Sequence, residues 1–561
     1  MAVDNGLIAD QFALLAKLMD IHGENEFKSR SYSAAAFAID KLPQPVAEIP
    51  ADKLATIKGI GQSAAKKIIE IIETGRLAAL DTLIEKTPPG VLEMLKIKGL
   101  GPKKIATIWK EMGIESVGEL LYACNENRLL LYKGFGAKTQ QNVQASIEFY
   151  MKSLGSHLYS ETEPFARSID AALQQQFPQH LFALTGQFRR QSEIINRLEW
   201  VTTATPEELL TWLQSKAFQA ETIQPHLLIA RGSENLPLTF YHATKEQFYQ
   251  QLFQTSCSDE FAAAVKAMPQ YDATASYASE EALFEAIGVP YIAPPLREQA
   301  KVIQQVKNNG PISLIQPNDI KGIIHTHSDW SDGLHTIEAM ATACMEQGYE
   351  YLVISDHSKS AAYAKGLSEE RIREQHRYID ELNAKLAPFR IFKSIECDIL
   401  GDGSLDYSDN VLATFDLVIA SIHSNLQMNE EKAMMRLLNA IRNPYTTILG
   451  HMTGRLLLSR PGYPVDHVTI IEACVEHQVA IELNAHPRRL DIDWRWIDYA
   501  VEKGAMIAID PDAHFIEGFG DCRYGVLAAQ KGGLRKEQNL SSFSLGELEE
   551  YLEKRKMRRG R

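Results

Sequence analysis

Gly322-Ile323-Ile324-His325-Thr326-His327-Ser328-Asp329-Trp330-Ser331-Asp332-Gly333 decides the reading of this chain. A short apolar run of β-strand character ends in two histidines of like parity, and an aspartate follows within a Ser-Asp-Gly turn. Alternate residues of a strand share a face, so His325 and His327 project together. Two imidazoles and a nearby carboxylate make a metal-ligand seed.

The same grammar recurs downstream. Apolar runs at Gly322 to Ile324, Tyr351 to Ile354, Ile391 to Ile395, Leu417 to Ile422, Thr446 to Leu449, Val479 to Leu483 and Ala505 to Ile509 predict strands. Amphipathic segments between them predict helices at Ile337 to Gln347, Glu369 to Leu386, Glu430 to Ile441, Val465 to His477 and Trp494 to Lys503. Strand and helix in alternation imply a parallel sheet, and a closed barrel is its natural solution. The strand ends carry, in order, His325 and His327, His357, Glu396, His423, His451, Asn484, then Asp512 and His514. Functional residues belong at that end of such a barrel. Eleven of the sixteen histidines lie between 321 and 514, a recurrence that packing does not explain. His335, His376, His467, His477 and His486 do not share the placement and read as surface or supporting residues.

These residues resemble the polymerase and histidinol phosphatase (PHP) domain over about residues 318 to 535. The match covers His325-x-His327, Asp332, Asp356-His357, Glu396, Ser421-Ile422-His423-Ser424, Gly450-His451, Glu482-Leu483-Asn484-Ala485-His486-Pro487 and Asp512-Ala513-His514. The resemblance implies three divalent ions. His325, His327, Glu396 and Asp512 would hold one; Glu396, His423 and His451 the second; Asp332, His357 and His514 the third. Mixed imidazole and carboxylate shells suit manganese first, with zinc or iron as alternatives, better than magnesium. The implied reaction is phosphoester hydrolysis, with Glu396, Asp512, His325 and His327 nearest the chemistry and water activated for attack on phosphorus. Arg455, Lys359 and Arg488 lie just past strand ends and are candidates for substrate phosphate contacts, each with a plain surface cation as its alternative.

The N-terminal third has another signature. Ile57-Lys58-Gly59-Ile60-Gly61, Ile97-Lys98-Gly99-Leu100-Gly101 and Tyr132-Lys133-Gly134-Phe135-Gly136 repeat one pattern, apolar-Lys-Gly-apolar-Gly, and each precedes a helical segment. This resembles the helix-hairpin-helix motif. Its glycines permit a tight turn and close approach to phosphate, and the unpaired N–H groups of the next helix favour an anion. Gly59, Gly61, Gly99, Gly101, Gly134, Gly136, Lys103 and Lys104 are the candidate DNA contacts. Lys96, Lys98, Lys103, Lys104 and Lys110 form an acid-free run inside a neutral segment, although the whole chain carries −14. Such hairpins grip the backbone without reading bases.

The layout of residues 1 to 300 resembles family X DNA polymerases. That resemblance puts a Schiff-base lysine at Lys67, for which a solvated or phosphate-contacting lysine is the alternative. It also puts the palm opening at Gly186-Gln187-Phe188-Arg189-Arg190 and the end of the thumb at Ala282 to Glu298. Family X enzymes carry an Asp-x-Asp pair and a third carboxylate in the palm. Here the corresponding positions hold Arg197, Glu199 and Thr239. A cation at a ligand position repels metal ions, so nucleotidyl transfer is expected to be absent.

The expected chain is thus multidomain α+β and α/β. Residues 1–85 are a lyase-like helical domain, 86–155 a fingers-like helix-hairpin-helix region, 156–300 a degenerate palm and thumb, and 301–317 a linker. Residues 318–540 form a (β/α)7 PHP barrel and 541–561 a C-terminal helix and frayed basic tail. Six scattered cysteines without CxxC and the absence of a long apolar run point to a cytoplasmic, membrane-free protein with free thiols. The expected function is metal-dependent 3'-5' exonuclease or 3'-end processing in DNA repair, by a monomer acting on gapped, abasic or 3'-ended DNA. Three alternatives stand beside it: a phosphatase on a small phosphomonoester, a family X polymerase that retains nucleotidyl transfer, and a non-catalytic DNA-binding scaffold.

Overall fold

The computed structural model describes residues 5–40, 42, 44–152, 155–232 and 236–559. The chain divides into two compact units, Met1–Tyr150 and Met151–Arg561.

The first unit is all helical. Its organising feature is three turns of one geometry, feeding helices α1 (Gln62–Thr74), α2 (Pro102–Lys110) and α3 (Ala137–Lys152). The first glycine of each repeat takes a left-handed backbone, with φ +97° at Gly59, +89° at Gly99 and +97° at Gly134. That region is nearly closed to residues with a Cβ, which explains the repeated glycine. The apolar residue between the glycines closes each turn: Ile60 N donates to Ile57 O, Leu100 N to Ile97 O and Phe135 N to Tyr132 O. Ile60, Leu100 and Phe135 are buried, anchoring the turns from inside.

In the second unit, a helix over Tyr159–Gln176 leads into a mixed sheet of five strands, β1 (Phe182–Thr185), β2 (Leu198–Thr202), β3 (Gln219–Gln224), β4 (Leu227–Arg231) and β5 (Pro237–His242), in the order β1-β2-β5-β4-β3. Its core includes Trp200, Phe240, Leu198 and Leu238. A small helical core follows around Phe253, Phe261, Phe284 and Ile287. The expected linker at 301–317 is a correction: Lys301–Asn309 is a helix, α4, whose Val302, Ile303 and Val306 pack into that core. Apolar residues at i, i+1 and i+4 give one buried stripe, a signal that its polar composition masked.

The barrel strands are β6 (Gly322–Thr326), β7 (Tyr351–Ile354), β8 (Arg390–Asp398), β9 (Leu417–Ser421), β10 (Ile448–Leu449), β11 (Ala480–Asn484) and β12 (Ile507–Asp510). All neighbours are parallel and in sequence order. A parallel bridge between Thr326 and Ala513 links the two edge strands, so the seven-stranded sheet is nearly closed. Ile324, Val353, Phe392, Leu417, Ile419, Ile448, Ala480 and Ala508 fill the interior.

The last helix, α5 (Leu545–Arg559), corrects the expectation of a frayed tail. Leu548 and Leu552 join Leu540 in the interior cluster of the barrel. Arg555 donates to Thr446 O at 2.6 Å, and Lys556 Nζ lies 3.3 Å from Asp416 Oδ1. The helix therefore stops the end of the barrel where the strands begin. Residues 560 and 561 lie outside the described residues.

Candidate metal centre

The C-terminal ends of six of the seven strands, all but β11, bring nine residues distant in sequence together. His325, His327, Glu396 and Asp512 each offer a ligand atom within 4.8 Å of the others. A second group of the same compactness is His327, Asp332, His357 and His514, and a third is His357, Glu396 and His423. His451 Nε2 and His423 Nε2 lie 3.0 and 3.1 Å from the same oxygen, Glu396 Oε1. Two details were not expected from sequence. His327 belongs to two groups, with its ring centroid 4.3 Å from that of His357 and 4.2 Å from that of His514, and His357 reaches Glu396 Oε2 at 2.9 Å.

Local backbone explains how the first strand presents its ligands. The register between β6 and β7 shifts between Ile323 and Thr326, and His325 takes φ +58°. Asp512 takes φ +54°. Non-glycine residues hold such angles only where surrounding contacts over-determine them, and such strain concentrates at functional sites.

The cluster is deeply buried. His325 and His327 are 0 % exposed and Glu396 1 %. Burial tends to depress the His325 imidazole pKa, but Glu482, Asp512 and Glu396 together outweigh it and hold it well above the usual value. For His327, burial, reinforced by His514 and His357, depresses the pKa to about 3. Burial opposes ionisation of Glu396, yet His423, His325 and His357 hold its carboxyl well below the carboxylate range. Several potential ligand atoms are buried without a hydrogen-bond partner of acceptable geometry: His325 Nε2, His327 Nδ1, Asp332 Oδ1, His357 Nδ1 and Glu396 Oε2. Orphaned acceptors and nitrogens are costly in a buried setting, and their convergence fits divalent cations. The donor set, imidazole with carboxylate, fits as well.

A supporting layer carried no assigned role in the sequence. Asp398 Oδ1 accepts from His423 Nδ1 at 2.8 Å, and Glu482 pairs with His325 Nδ1 while Oε2 accepts from His451 N at 2.5 Å. Carboxylates on the far ring nitrogen fix tautomer and orientation. The signal for Asp398 was its position two residues after Glu396 on one strand, hence the same face. Asp356, adjacent to His357, accepts from Ser328 N, Ser328 Oγ and Gln375 Nε2 at 2.8, 2.6 and 2.6 Å and so braces the first loop. His486 is buried, and its Nδ1 accepts from Arg488 N at 3.2 Å. His376 packs edge-on against Phe415, and His467 stacks on Trp496.

Two of the three phosphate candidates need correction. Arg455 has all three nitrogens engaged: Nη1 with Asp493 and Nη2 with Glu193, both at 2.5 Å, and Nε with Arg489 O at 2.9 Å. Arg488 Nη2 donates to Glu161 Oε1 at 2.9 Å and its side chain is 6 % exposed. These arginines answer carboxylates of the palm-like body, a long-range pairing that local sequence does not reveal. Lys359 remains exposed, its ammonium 5.0 Å from the Tyr407 ring centroid.

In the palm-like sheet, Glu199 on β2 pairs in register with Thr239 on β5. Glu199 Oε1 accepts from Tyr241 OH at 2.9 Å, Thr239 is buried, and Arg197 is exposed just ahead of β2. In the first unit, Gly61, Gly99, Gly101, Gly134 and Gly136 have open space where a Cβ would stand, whereas a Cβ at Gly59 would meet that of Ala38 at 3.0 Å. Lys103 is exposed beside Glu26, and Lys104 Nζ contacts Gly99 O at 3.3 Å. Lys110, also exposed, donates to His22 O at 2.6 Å. Lys67 Nζ lies 5.9 Å from the Tyr32 ring centroid.

Residues 3–77 match a helix-hairpin-helix domain, and residues 91–148 a SAM-like helix-hairpin-helix tandem. A probable phosphatase of Thermoanaerobacter sp. (strain X514) is 26 % identical over 250 residues, 42 % of this chain and 96 % of its own length. One of Caldanaerobacter subterraneus is 27 % identical over 250 residues, 42 % of this chain and 92 % of its own. The DNA polymerase/3'-5' exonuclease PolX of Bacillus subtilis (strain 168) is 33 % identical over 560 residues, 96 % of this chain and 98 % of that protein. Similarity along nearly the whole of both chains, with the hairpin units and the barrel in the same molecule, makes this protein a member of the bacterial family X DNA polymerase/3'-5' exonuclease family.

Proposed function

We propose that this protein is a metal-dependent phosphodiesterase that trims or processes DNA 3' ends, with its hydrolytic centre at the barrel mouth and no remaining nucleotidyl transfer in the palm. The observation that carries the reading is the convergence of nine ligand-type side chains, eight in three compact groups and His451 against Glu396, several with orphaned atoms, in a chain with three helix-hairpin-helix turns. His325, His327, Glu396 and Asp512 would hold one divalent ion; Glu396, His423 and His451 a second; Asp332, His357 and His514 a third, with His327 beside them. Manganese suits these shells, with zinc or iron as alternatives. Such ions supply Lewis-acid polarisation of a phosphate and a strong nucleophile from water at neutral pH.

The chain's own residues do the rest. Asp398 and Glu482 hold His423 and His325 in the tautomer that leaves Nε2 toward Glu396. Lys359 is the exposed cation available to a substrate phosphate. The glycine turns of the first unit leave room for a phosphate to approach the backbone. In the palm, one carboxylate, Glu199, remains among the three positions, too few oxygens for two magnesium ions. Lys67 is the candidate lyase amine, and gapped, abasic or 3'-ended DNA is the candidate substrate for a cytoplasmic monomer acting in DNA repair. The finer partition at 85/86, 155/156 and 317/318 belongs to the same proposal.

The test uses end-labelled single-stranded, gapped and abasic DNA with manganese, and compares wild type with His325→Ala/His327→Ala. Stepwise shortening from the 3' end by wild type alone is expected. Absence of a metal-dependent product on every substrate would overturn the reading. A second reading, hydrolysis of a small phosphomonoester, draws on the two phosphatases, whose lengths are covered almost completely. Turnover of phosphomonoesters with no cleavage of DNA would select it.

A further inference from the structure

We propose that Glu193 and Glu161 of the palm-like body are positioning residues for the barrel's metal centre, acting through Arg455 and Arg488 on the loop of residues 485–493 that orients Asp512. The inference rests on the barrel mouth being the metal centre.

Asp512 divides its two oxygens between two tasks. Oδ1 lies 3.1 Å from His327 Nε2 and 3.4 Å from His325 Nε2, within the ligand cluster. Oδ2 faces away, accepting from Asn484 Nδ2 at 3.0 Å and lying 3.7 Å from Arg489 Nε. The direction of the ligand oxygen therefore depends on Asn484 and Arg489, which flank and form the loop after β11. That loop has little regular structure to stiffen it. Its backbone is tied by Asn484 N to Asp491 O at 2.6 Å and Arg489 N to His486 O at 2.7 Å, and Leu490 sits at φ +43°.

Arg455 grips this loop from outside, binding the backbone carbonyls of both Arg489 and Leu490 as well as the Asp493 carboxylate. One further partner orients its fork, and that partner comes from elsewhere in the unit: Glu193, 9 % exposed, at 2.5 Å. Arg488, inside the loop, is fixed by Glu161 at 2.9 Å. Two carboxylates of the palm-like body, which keeps one carboxylate among its three palm ligand positions, thus hold both the clamp and the loop. Each is a charge-assisted hydrogen bond from one guanidinium nitrogen, and it weakens when the carboxylate partner becomes a neutral amide. This accounts for a palm-like body that remains built after its own ligand positions have changed.

The experiment measures Mn2+ affinity by electron paramagnetic resonance of the free ion, and kcat and KM on bis-p-nitrophenyl phosphate, in the full chain. Glu193→Gln/Glu161→Gln is expected to weaken Mn2+ binding and lower kcat by roughly 10-fold with KM little changed, the size of effect seen for residues that orient ligands. Glu193→Asp retains most of both. Glu298→Gln is the control, because it cuts another contact between palm-like body and barrel, Glu298 with Lys531 at 2.7 Å, outside the loop. It is expected to lower the melting temperature and leave Mn2+ affinity unchanged. Wild-type Mn2+ affinity in the double variant overturns the positioning role, as does an equal loss of affinity in Glu298→Gln. A wild type that binds no Mn2+ overturns the metal-centre reading itself, and the positioning role with it.

Discussion

His325 and Asp512 face one another across the barrel seam. Both have left-handed backbones, at φ +58° and +54°, and Ala513 N donates to His325 O at 3.2 Å, while Asp512 Oδ1 lies 3.4 Å from His325 Nε2. Closing the barrel and assembling the ligands are therefore one event. Asp512→Asn keeps the size of the side chain but removes its charge, and is expected to weaken Mn2+ binding by more than the roughly 100-fold upper range for supporting residues. Calorimetric titration of metal into the purified variant checks this.

The supporting carboxylates should behave in a graded way. Asp398→Asn and Glu482→Gln leave every ligand in place but alter the far nitrogen of His423 and His325. Each is expected to reduce metal affinity or activity by roughly 10- to 100-fold. Manganese activation curves measure the effect; curves identical to wild type would show that these contacts do not orient the rings.

The palm predicts a negative result that can be converted. With Arg197, Glu199 and Thr239 at the three positions, primer extension with magnesium or manganese is expected to give no templated product, whereas robust synthesis would overturn the proposed loss. Substituting Arg197→Asp and Thr239→Asp together rebuilds the carboxylate count. Magnesium binding by this variant and not by a His325→Ala/His327→Ala form of the wild type is the expected readout.

The hairpin turns separate binding from stability. A Cβ at Gly101 or Gly136 meets nothing within 4 Å, so Gly101→Ala and Gly136→Ala are expected to leave the melting temperature unchanged while weakening DNA binding several-fold. Gly134→Ala should cost about 1–2 kcal/mol of stability because of its φ of +97°. Fluorescence anisotropy over a salt series and thermal melts distinguish the two classes.

Acid should loosen the joint between body and barrel. Burial opposes ionisation of Glu298, but Lys531 and Arg190 hold its carboxyl below the usual glutamate range. A depressed carboxylate contributes stability that is present above its unfolded pKa and lost as pH falls through its folded one. Unfolding midpoints are thus expected to drop below about pH 4.5 in wild type. In Glu298→Gln, where buried Lys531 and half-buried Arg190 lose their carboxylate, a loss of about 3 kcal/mol is expected already at neutral pH.

Local signals made much of this architecture legible. Tyr351–Ile354 and Glu369–Leu386 have the bounds that periodicity predicts; eight of the nine ligand-type residues fall into compact groups at the barrel mouth, and His451 joins them through Glu396. Strand β10 shrinks to Ile448–Leu449 because Thr446 N turns back to Asn443 O, a turn hidden in a β-branched run. Arg455 and Arg488 were misread for a different reason: their partners, Glu193 and Glu161, are hundreds of residues away, and no local pattern encodes such a pairing. The sharing of His327 between two groups likewise depends on ring stacking across strands.

The helix α5 makes the barrel depend on the last residues of the chain. Leu548 and Leu552 stop the barrel at the end opposite the ligands, and replacing either with alanine is expected to cost about 2–5 kcal/mol in urea unfolding. The strand and loop that carry Asp512 and His514 also come late in the chain, after every hairpin turn. A fragment ending before residue 507 would keep all three glycine turns and yet lack two ligands, the seam and the stopper. Under the proposed function, such a fragment is expected to occupy DNA without cutting it, a competitor to the full-length protein in place of a weaker copy.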